Sequence, residues 1–562
     1  MSCMPKTESP FSVFNRNQQI EKLQSDTFDL AIIGGGITGA GIALDAASRG
    51  MNVCLIEKND FASGTSNKST KLIHGGLRYL KQFEVGLVRE SGSERAIVHK
   101  LAPHLVTPEK MLLPLSEGGT YGKIMTSIGL KVYDFLADVH GDDSRIMLDK
   151  AETLEKEPLL DKAVTIGGAL YAEYRTDDAR LTLEVLKKAA SFGATIINYC
   201  EMQGFNYNAH SKIESLNCID NNSNRGFTIS AKSYISATGP WADLIRTKDH
   251  SINHKHLHLT KGVHIVFPQD KLPIQQSIYF DVEDGRMIFA IPRGRVTYVG
   301  TTDTNYTGHK DRVVATKSDV AYLLNAINKT FPDIHLTVND VESNWAGLRP
   351  LIHEDDKAPS ELSRKDELFV SDTGLISIAG GKLTGYRKMA HRALNAVLDR
   401  LNSEEKNKLD TSQTEHIALV EPSLNTYEEA QEFEIKLSLE LKNLGVFDTY
   451  HAWYLCSNYG HQARLILSKT KDFDNKNILE RLIRAELWFT INYEMVNSLS
   501  DFFVRRTGRL YFDISSIEKY RGIILADCAR YLNWDKDRTA FEHKKLGVFI
   551  QDATTYYDAE FK

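Results

Sequence analysis

The feature that most constrains the fold is a glycine-rich loop between an apolar segment and a helix-like segment near the start of the chain. Residues 28–33 read FDLAII, Gly34, Gly36 and Gly39 follow in a GxGxxG spacing, and small residues fill 40–50. A second apolar segment, 51–57, ends in Glu57. This order of strand, glycine loop, helix, strand and acid predicts a parallel sheet that binds a dinucleotide. The pyrophosphate would lie at the helix N-terminus and the ribose on the acid.

A second glycine loop lies far downstream. The apolar segment LISIA at 375–379 leads into Gly380 and Gly381, and a helix is expected over 388–401. One loop could then cradle the pyrophosphate while the other approaches a flavin ring, where a helix N-terminus would stabilise negative charge. The position of the first loop suits both flavin and nicotinamide enzymes, so it leaves the dinucleotide open.

Length and composition indicate a globular protein of more than one domain. With 562 residues, 42% of them hydrophobic and 25% charged, the chain is expected to form two or three globular domains. Its net charge of −6 gives no support for nucleic-acid binding. The six cysteines are scattered without a CxxC pair or metal-ligand spacing, which predicts free thiols in a reducing cytosol and no metal site.

Membrane-spanning segments are not expected. The N-terminal residues are polar, which argues against a signal peptide, and no apolar run reaches the ~18–20 residues that a span needs. The segment 121–139 carries apolar residues at helical spacing with interspersed lysines. A helix packed on the core is the favoured interpretation, and an amphipathic helix lying on a membrane is the alternative.

Eight motifs occur in order between about residues 28 and 513. They are IGGGITGAGIALDAASRG, GTSNKSTKLIHGGLRYLKQFE, EYRTDDARL, SATGPWAD, GTTDTNY, WAGLRPLI, AGGKLTGYRK and FFVRRTGRLYFD. As a set they resemble the FAD-dependent glycerol-3-phosphate dehydrogenases, whereas SATGPWAD or GGGITGAG alone would indicate only amino-acid-oxidase-like flavoproteins. The resemblance implies FAD as cofactor. It also implies oxidation of sn-glycerol 3-phosphate to dihydroxyacetone phosphate, with hydride transfer from C2 to flavin N5.

The resemblance further implies an α/β fold with three parts. Residues 1–400 would combine a discontinuous Rossmann-like FAD-binding domain (about 26–90, 160–245 and 340–400) with an antiparallel-sheet substrate domain of the amino-acid-oxidase type (about 91–159 and 246–339). Alternating segments between 263 and 300 predict the antiparallel strands, and 233–239 predicts a returning strand of the cofactor domain. A charged linker at 401–420 would lead to a helical C-terminal domain at 421–562.

By resemblance, the two glycine loops and the segment after Glu57 would hold the cofactor. Small hydroxyl residues and glycine at 59–71 suit a loop that hydrogen-bonds a ligand. The expected cofactor-binding residues are Gly34, Gly36, Gly39, Glu57, Thr65, Ser66, Ser69, Lys71, Leu72, His74, Gly380, Gly381, Lys382, Leu383 and Thr384. Gly75 and Gly76 would let the backbone approach the flavin closely.

Glycerol 3-phosphate is a small dianion with a secondary alcohol, so its site needs clustered cations and a base near the C2 hydroxyl. By resemblance, the substrate-binding residues are Arg78, Tyr79, Thr301, Arg349, Arg364 and Lys382. Arg349 is also expected to act in catalysis, and the base is left open between His74 and His353. Thr301 could instead cap a turn, Arg364 could form a surface ion pair, and Lys261 could face either the site or solvent.

The role of the C-terminal motif is not readable from the sequence. Its arginines, Arg505, Arg506 and Arg509, could bind an acidic face or anionic lipid, and a solvated face is the favoured interpretation. In the favoured function, the reduced flavin passes its electrons to a membrane quinone. The protein is expected in the cytoplasm, with peripheral contact to the cytoplasmic membrane face left open, as is a homodimer. The alternatives are an oxidase that reduces oxygen to hydrogen peroxide and a non-catalytic flavin-binding protein.

Overall fold

The computed structural model describes residues 9–74, 85–117, 145–354 and 365–561. The strands are β1 (Thr27–Ile33), β2 (Val53–Ile56), β3 (Leu72–Ile73), β4 (Thr107–Ser116), β5 (Ile146–Leu148), β6 (Thr165–Arg175), β7 (Thr195–Ile197), β8 (Cys200–Tyr207), β9 (Ile213–Asp220), β10 (Arg225–Ser236), β11 (Lys255–Pro268), β12 (Ser277–Asp281), β13 (Met287–Arg293), β14 (Val296–Gly300), β15 (Thr304–Asn305), β16 (Ser343–Glu354), β17 (Glu367–Val370) and β18 (Leu375–Ala379). The α-helices are α1 (Arg16–Ser25), α2 (Ile37–Ser48), α3 (Val85–Leu101), α4 (Lys150–Lys156), α5 (Asp178–Ser191), α6 (Ala242–Lys248), α7 (Lys317–Thr330), α8 (Tyr386–Leu398), α9 (Ser403–Lys406), α10 (Tyr427–Asn443), α11 (Tyr450–Tyr459), α12 (Ala463–Lys469), α13 (Ile478–Tyr493), α14 (Arg509–Phe512), α15 (Ile514–Leu532) and α16 (Lys536–Thr554).

The first sheet has the order β17-β18-β10-β1-β2-β7, and the β8–β9 hairpin extends from β10. Its central pairs, β1–β10, β1–β2, β10–β18 and β2–β7, are parallel. Four successive residues of β1, Leu30 to Ile33, are buried, as expected for a parallel strand covered on both faces. Helix α2 packs against α5 and α8. The parallel sheet predicted from the two glycine loops is confirmed.

The second sheet has the order β15-β11-β14-β13-β12-β4-β6-β3, with β16 paired to β11 and β5 to β6. The pairs β11–β14, β13–β14 and β12–β13 are antiparallel, which confirms the strands predicted between 263 and 300. The contact between β12 and β4 is parallel. This sheet therefore has the expected antiparallel core with one parallel junction.

Three strands depart from the expected division between cofactor and substrate pieces. β3, placed in the piece 26–90, pairs with β6 of the second sheet. β6, placed in the piece 160–245, pairs with β4 of the second sheet. β16, placed in the piece 340–400, pairs with β11 along its whole length, from Ser343 opposite Val266 to Glu354 opposite Lys255. Which sheet a strand joins depends on the strand that it pairs with. The alternation of residues along one segment does not reveal that partner.

The helical C-terminal part closes back onto the second sheet. Tyr557 forms a parallel bridge with Thr316, and the His309 N–H donates to the Phe561 carbonyl at 2.7 Å. Glu560 forms an ion pair with Lys261 at 2.8 Å, and Lys261 also pairs with Asp319 at 2.7 Å. Lys261 is thus engaged on the side of the C-terminal tail. Among the described helices, none has the length and apolar character needed to cross a bilayer.

The arginines of FFVRRTGRLYFD are buried, so the expectation of a solvated face is wrong. Arg505, Arg506 and Arg509 are 5%, 0% and 7% exposed. Arg505 and Arg506 bind Asp60, and Arg509 binds Glu486 at 3.1 Å. Buried guanidinium groups persist where carboxylates compensate for their lost hydration. Those carboxylates lie far away in sequence, and the local pattern of charges cannot show them.

Candidate active site

Residues of both sheets line a cavity of about 360 Å³. Its walls are the loop between β1 and α2, the loop after β2, the segment 63–74, the middle of β16 and the loop after β18. Both predicted glycine loops therefore meet at one cavity, as expected for the carboxyl ends of parallel strands. Fourteen predicted residues line it: Gly34, Gly36, Glu57, Thr65, Ser66, Ser69, Leu72, His74, Arg349, Gly380, Gly381, Lys382, Leu383 and Thr384.

The first glycine loop is shaped by close backbone packing. Gly34 has φ +113°, and a Cβ there would lie 2.6 Å from the Ala237 carbonyl oxygen. A Cβ at Gly39 would lie 2.0 Å from the Gly34 carbonyl oxygen. Gly39 does not line the cavity, so it serves the packing of the turn, whereas Gly36 caps α2 at the cavity wall. The result is a helix N-terminus approached by bare backbone, which suits a phosphate.

Glu57 stands at the end of β2 and closes this loop. Its Oε2 accepts from the Gly35 N–H at 2.8 Å, and its Oε1 accepts from the Asn59 N–H at 2.9 Å. Each carboxylate oxygen keeps a second lone pair, so the group can still accept hydrogen bonds from ribose hydroxyls. The predicted role of Glu57 is compatible with its placement.

The segment after Glu57 runs along the cavity, but one of its residues departs from expectation. The Ser69 N–H and hydroxyl both donate to Asp178 Oδ2, at 3.0 and 2.7 Å. Lys71 is fully buried and does not line the cavity; its ammonium pairs with Asp178 and, at 3.5 Å, with Asp177. The Lys71 side chain thus holds the segment 63–74 in place through ion pairs with Asp177 and Asp178. These partners lie more than 100 residues away, so the spacing of residues around Lys71 could not reveal them.

The second glycine loop also needs glycine. Gly380 and Gly381 have φ +77° and +75°, and a Cβ at Gly380 would lie 2.6 Å from the Lys365 carbonyl oxygen. The Thr384 hydroxyl donates to the His74 carbonyl at 3.1 Å. This bond joins the two predicted cofactor segments beside the cavity, which Lys382 also lines.

Arg349 is held by a neighbouring loop with its guanidinium at the cavity. Its Nη2 donates to Thr301 Oγ1 at 2.9 Å, and its Nη1 donates to the Thr302 carbonyl at 3.2 Å and to Asp303 at 3.3 Å. Its side chain is 27% exposed. Thr301 does not line the cavity, so it positions Arg349. No acid lies beside Arg349 in the sequence, and the fold brings Asp303 to it.

The sequence reasoning missed His264. It lines the cavity, stacks on Trp345 with ring centroids 4.7 Å apart, and lies with Nε2 3.0 Å from Thr70 Oγ1. Burial, then the charges of Arg349 and Lys71, hold the pKa of its imidazole well below the usual value. The ring is therefore neutral at pH 7. Its only sequence signal was its place on the predicted strand GVHIVFP.

Of the two histidines expected as a base, only His74 lines the cavity. His353 lies on β16 opposite His256, and their ring centroids are 5.0 Å apart. A further missed residue is Lys68, which lines the cavity and whose pKa is lowered to about 8 by burial and then by Arg505. Arg78, Tyr79, Arg364, Gly75, Gly76 and the segment 121–139 lie outside the described residues.

Comparisons with known proteins agree with this geometry. A family model described as FAD dependent oxidoreductase matches residues 29–445, and one described as C-terminal domain of alpha-glycerophosphate oxidase matches residues 386–539. The aerobic glycerol-3-phosphate dehydrogenase of Bacillus subtilis is 47% identical over 97% of this chain and 98% of its own length. That of Staphylococcus aureus (strain MRSA252) is 48% identical over 96% of this chain and 98% of its own.

Solved structures show the same relationship. The glycerol-3-phosphate dehydrogenase from Bacillus halodurans, complexed with FAD, superposes with a TM-score of 0.82 at 40% identity, over 97% of this chain and 99% of that one. The L-alpha-glycerophosphate oxidase from Mycoplasma pneumoniae, with FAD bound, shares the fold alone, at a TM-score of 0.53 and 19% identity over 66% of this chain and 95% of that one. The chain therefore belongs to the FAD-dependent oxidoreductases and carries the C-terminal domain described for alpha-glycerophosphate oxidase.

Proposed function

We propose that this chain oxidises sn-glycerol 3-phosphate to dihydroxyacetone phosphate with FAD as cofactor. The observation that carries the proposal is the pairing, in one cavity lined by both glycine loops, of a positioned guanidinium with a neutral imidazole, Arg349 and His264. A phosphate dianion needs the first, and an alcohol that loses a proton needs a neutral base such as the second. The similarity to dehydrogenases named for this substrate supports the choice of polyol phosphate.

The residues along the cavity fit FAD. Gly34, Gly36 and the N-terminus of α2 would hold the pyrophosphate, Glu57 the ribose, and the segment 63–74 with the second glycine loop the flavin ring. The fit rests on the bare backbone of Gly34 and Gly36, which lines the cavity at the N-terminus of α2, and on the carboxylate lone pairs left at Glu57. When bound, the flavin accepts at N5 the hydride that leaves C2 of the substrate.

The protein's own groups then bind the phosphate and remove the hydroxyl proton. Arg349 would bind the phosphate, and Thr301, Thr302 and Asp303 already hold its guanidinium in place. Binding therefore costs little additional side-chain entropy. Lys382 adds a second charge to the same cavity. The C2 hydroxyl proton passes to one of the two cavity histidines, His74 or His264, because His353 lies elsewhere.

The acceptor and the cellular setting belong to the same proposal. Electrons pass from the reduced enzyme to a membrane quinone, and the protein works in the cytoplasm as a homodimer with peripheral contact to the membrane face. A second candidate is an oxidase that reduces oxygen to hydrogen peroxide, which the match of residues 386–539 to an oxidase-derived domain description favours. The two functions share the first half-reaction and differ only in what reoxidises the flavin.

An anaerobic titration tests both halves. The purified protein is mixed with sn-glycerol 3-phosphate while the flavin absorption band is followed, and then either a quinone analogue or air-saturated buffer is added. We expect bleaching by this enantiomer, little bleaching by sn-glycerol 1-phosphate or glycerol, and rapid recovery of colour with the quinone analogue. Fast recovery in air with stoichiometric hydrogen peroxide would favour the oxidase. A flavin that stays oxidised with every polyol phosphate would refute the proposed substrate.

Cellular setting needs separate measurements. Co-sedimentation with vesicles of mixed anionic and neutral lipids tests membrane contact, and mass photometry tests the homodimer. Protein that stays in the supernatant at every lipid ratio, or that has the mass of one chain at all concentrations, would remove the corresponding part of the proposal.

A further inference from the structure

A buried ion cluster joins the C-terminal motif to the loop that carries Glu57. Arg506 binds Asp60 in bidentate fashion, Nη1 to Oδ2 at 2.5 Å and Nη2 to Oδ1 at 2.9 Å, and Arg505 donates through Nε to the same carboxylate. Asn198 Nδ2 donates to Asp60 Oδ1 at 3.0 Å. The four donors occupy the acceptor capacity of one carboxylate, so Asp60 has a single, fully determined position.

The charges in this cluster balance. Arg505 also pairs with Asp501 at 2.9 Å, and Asp501 accepts from the Tyr199 hydroxyl at 2.5 Å. Two guanidinium groups therefore face two carboxylates. Burial alone would raise the pKa of Asp60, but Arg506 and Arg505 together hold it below its usual value, so it is ionised. Removal of one partner would leave a buried uncompensated charge, which is costly.

The cluster acts on the cavity through a loop. Asp60 itself does not line the cavity, whereas its neighbours Glu57 and Asn59, and residues 63–66 beyond it, do. The Ala62 N–H donates to the Gly35 carbonyl at 3.0 Å, which ties the same loop to the first glycine loop. Holding Asp60 in place therefore also holds the loop 57–66, which passes along the predicted ribose and pyrophosphate positions.

A second branch of the cluster reaches the opposite end of this segment. Arg506 donates to the Glu494 carbonyl at 2.8 Å, and the Glu494 carboxylate binds Arg180 of α5 at 2.6 Å. The same helix begins at Asp178, which lines the cavity and holds Ser69. The C-terminal region thus anchors both the loop 57–66 and the segment 67–71.

We propose that the C-terminal helical region is a cofactor-retention element, in which Arg505 and Arg506 clamp Asp60 and so keep the Glu57 loop closed on FAD. Both arginines are positioning residues, since neither lines the cavity. The clamp gives a role to the FFVRR sequence that the reaction itself leaves unexplained. It rests on the cavity proposed for the flavin and not on the identity of the substrate.

The test measures flavin release from the holoenzyme. Arg506→Gln breaks the clamp, and the double variant Asp60→Asn with Arg506→Gln breaks it while restoring charge balance. Arg509→Gln is the matched control, because Arg509 is buried in the same motif but binds Glu486, Asp513 and Ser516 away from the cavity. Released FAD is followed by its fluorescence below the unfolding temperature, and unfolding by circular dichroism.

We expect both clamp variants to release FAD about tenfold faster or more, the size expected when a charge-assisted hydrogen bond no longer holds a binding loop. Excess FAD should restore their unfolding temperature and activity, whereas Arg509→Gln should lower stability without faster release. Equal release from the clamp variants and the control at matched stability would overturn the inference. So would failure of both clamp variants to fold while Arg509→Gln folds. Wild-type protein that holds FAD but is not reduced by glycerol 3-phosphate would refute the proposed substrate and leave the clamp standing.

Discussion

Gly262 offers a sharp test of how the substrate cation is held. A Cβ at Gly262 would lie 2.3 Å from Arg349 Nη2 and 2.5 Å from Thr301 Oγ1, against an ordinary contact of at least 3.4 Å. In Gly262→Ala the guanidinium must therefore retreat by about 1 Å, the difference between these distances. A displacement of this size in a positioning group costs about 100-fold in rate, or about 2.7 kcal/mol of transition-state stabilisation.

The assay compares kcat/KM for sn-glycerol 3-phosphate with FAD content and thermal stability. Gly204→Ala in β8 is the matched control, because nothing lies within 4 Å of a Cβ there, and it should behave as wild type. If Gly262 acts through Arg349, the double variant Gly262→Ala with Arg349→Gln should be no worse than Arg349→Gln alone. Wild-type kcat/KM in a folded, flavin-loaded Gly262→Ala protein would refute the assigned geometry, as would fully additive losses in the double variant.

Three further predictions address other parts of the molecule. Glu57→Gln places an amide against the Gly35 and Asn59 N–H groups and should weaken FAD binding by about tenfold or more; unchanged affinity by flavin fluorescence titration would contradict the ribose site. Lys382→Met keeps an unbranched side chain of nearly the same length but removes a cavity charge, and should raise KM for the substrate about 10–100-fold while kcat changes less; an unchanged KM would remove Lys382 from the phosphate site. Burial, and then electrostatic interaction with Arg180, His461 and Lys187, lowers the pKa of His104 from 6.5 to about 3. As the pH falls, the unfolded chain protonates His104 near its ordinary pKa of about 6.5, whereas the folded chain does so only near pH 3. The free energy of unfolding is therefore highest above pH 6.5 and falls toward pH 3, by about 2 kcal/mol between pH 7 and 5. In His104→Leu, the free energy of unfolding measured by urea titration should fall less between pH 7 and pH 5 than in the wild type. An equal fall in both proteins would contradict the assignment.

The parts of the fold that could be predicted from sequence are those encoded by neighbouring residues. The strand–glycine–helix units need particular backbone conformations at Gly34, Gly380 and Gly381, and such requirements leave a local mark. The chain order of these units then implies a shared cavity at the ends of parallel strands. Glu57 was readable for the same reason, because its distance from the glycine loop is set by one helix and one strand.

The remaining site residues depend on contacts between distant segments. His264 meets the cavity only because β11 lies between β14 and β16, in a register that puts it opposite both Gly300 and Trp345. Lys71 looked available to a ligand because Asp177 and Asp178 lie on another element. No single-sequence pattern specifies which strand pairs with which, so neither placement could be derived beforehand.

The ion pairs between Asp60 and the Arg505–Arg506 motif have a consequence for biosynthesis. The partners are separated by 445 and 446 residues, and a ribosome adding about 5–20 residues per second needs about 20–90 s to travel that far. Throughout this interval the Glu57 loop exists without its two guanidinium partners, although the first β–α–β unit is already complete. The nascent chain thus completes its first β–α–β unit early and acquires the proposed clamp late, so we expect stable flavin loading to follow translation of the C-terminal region.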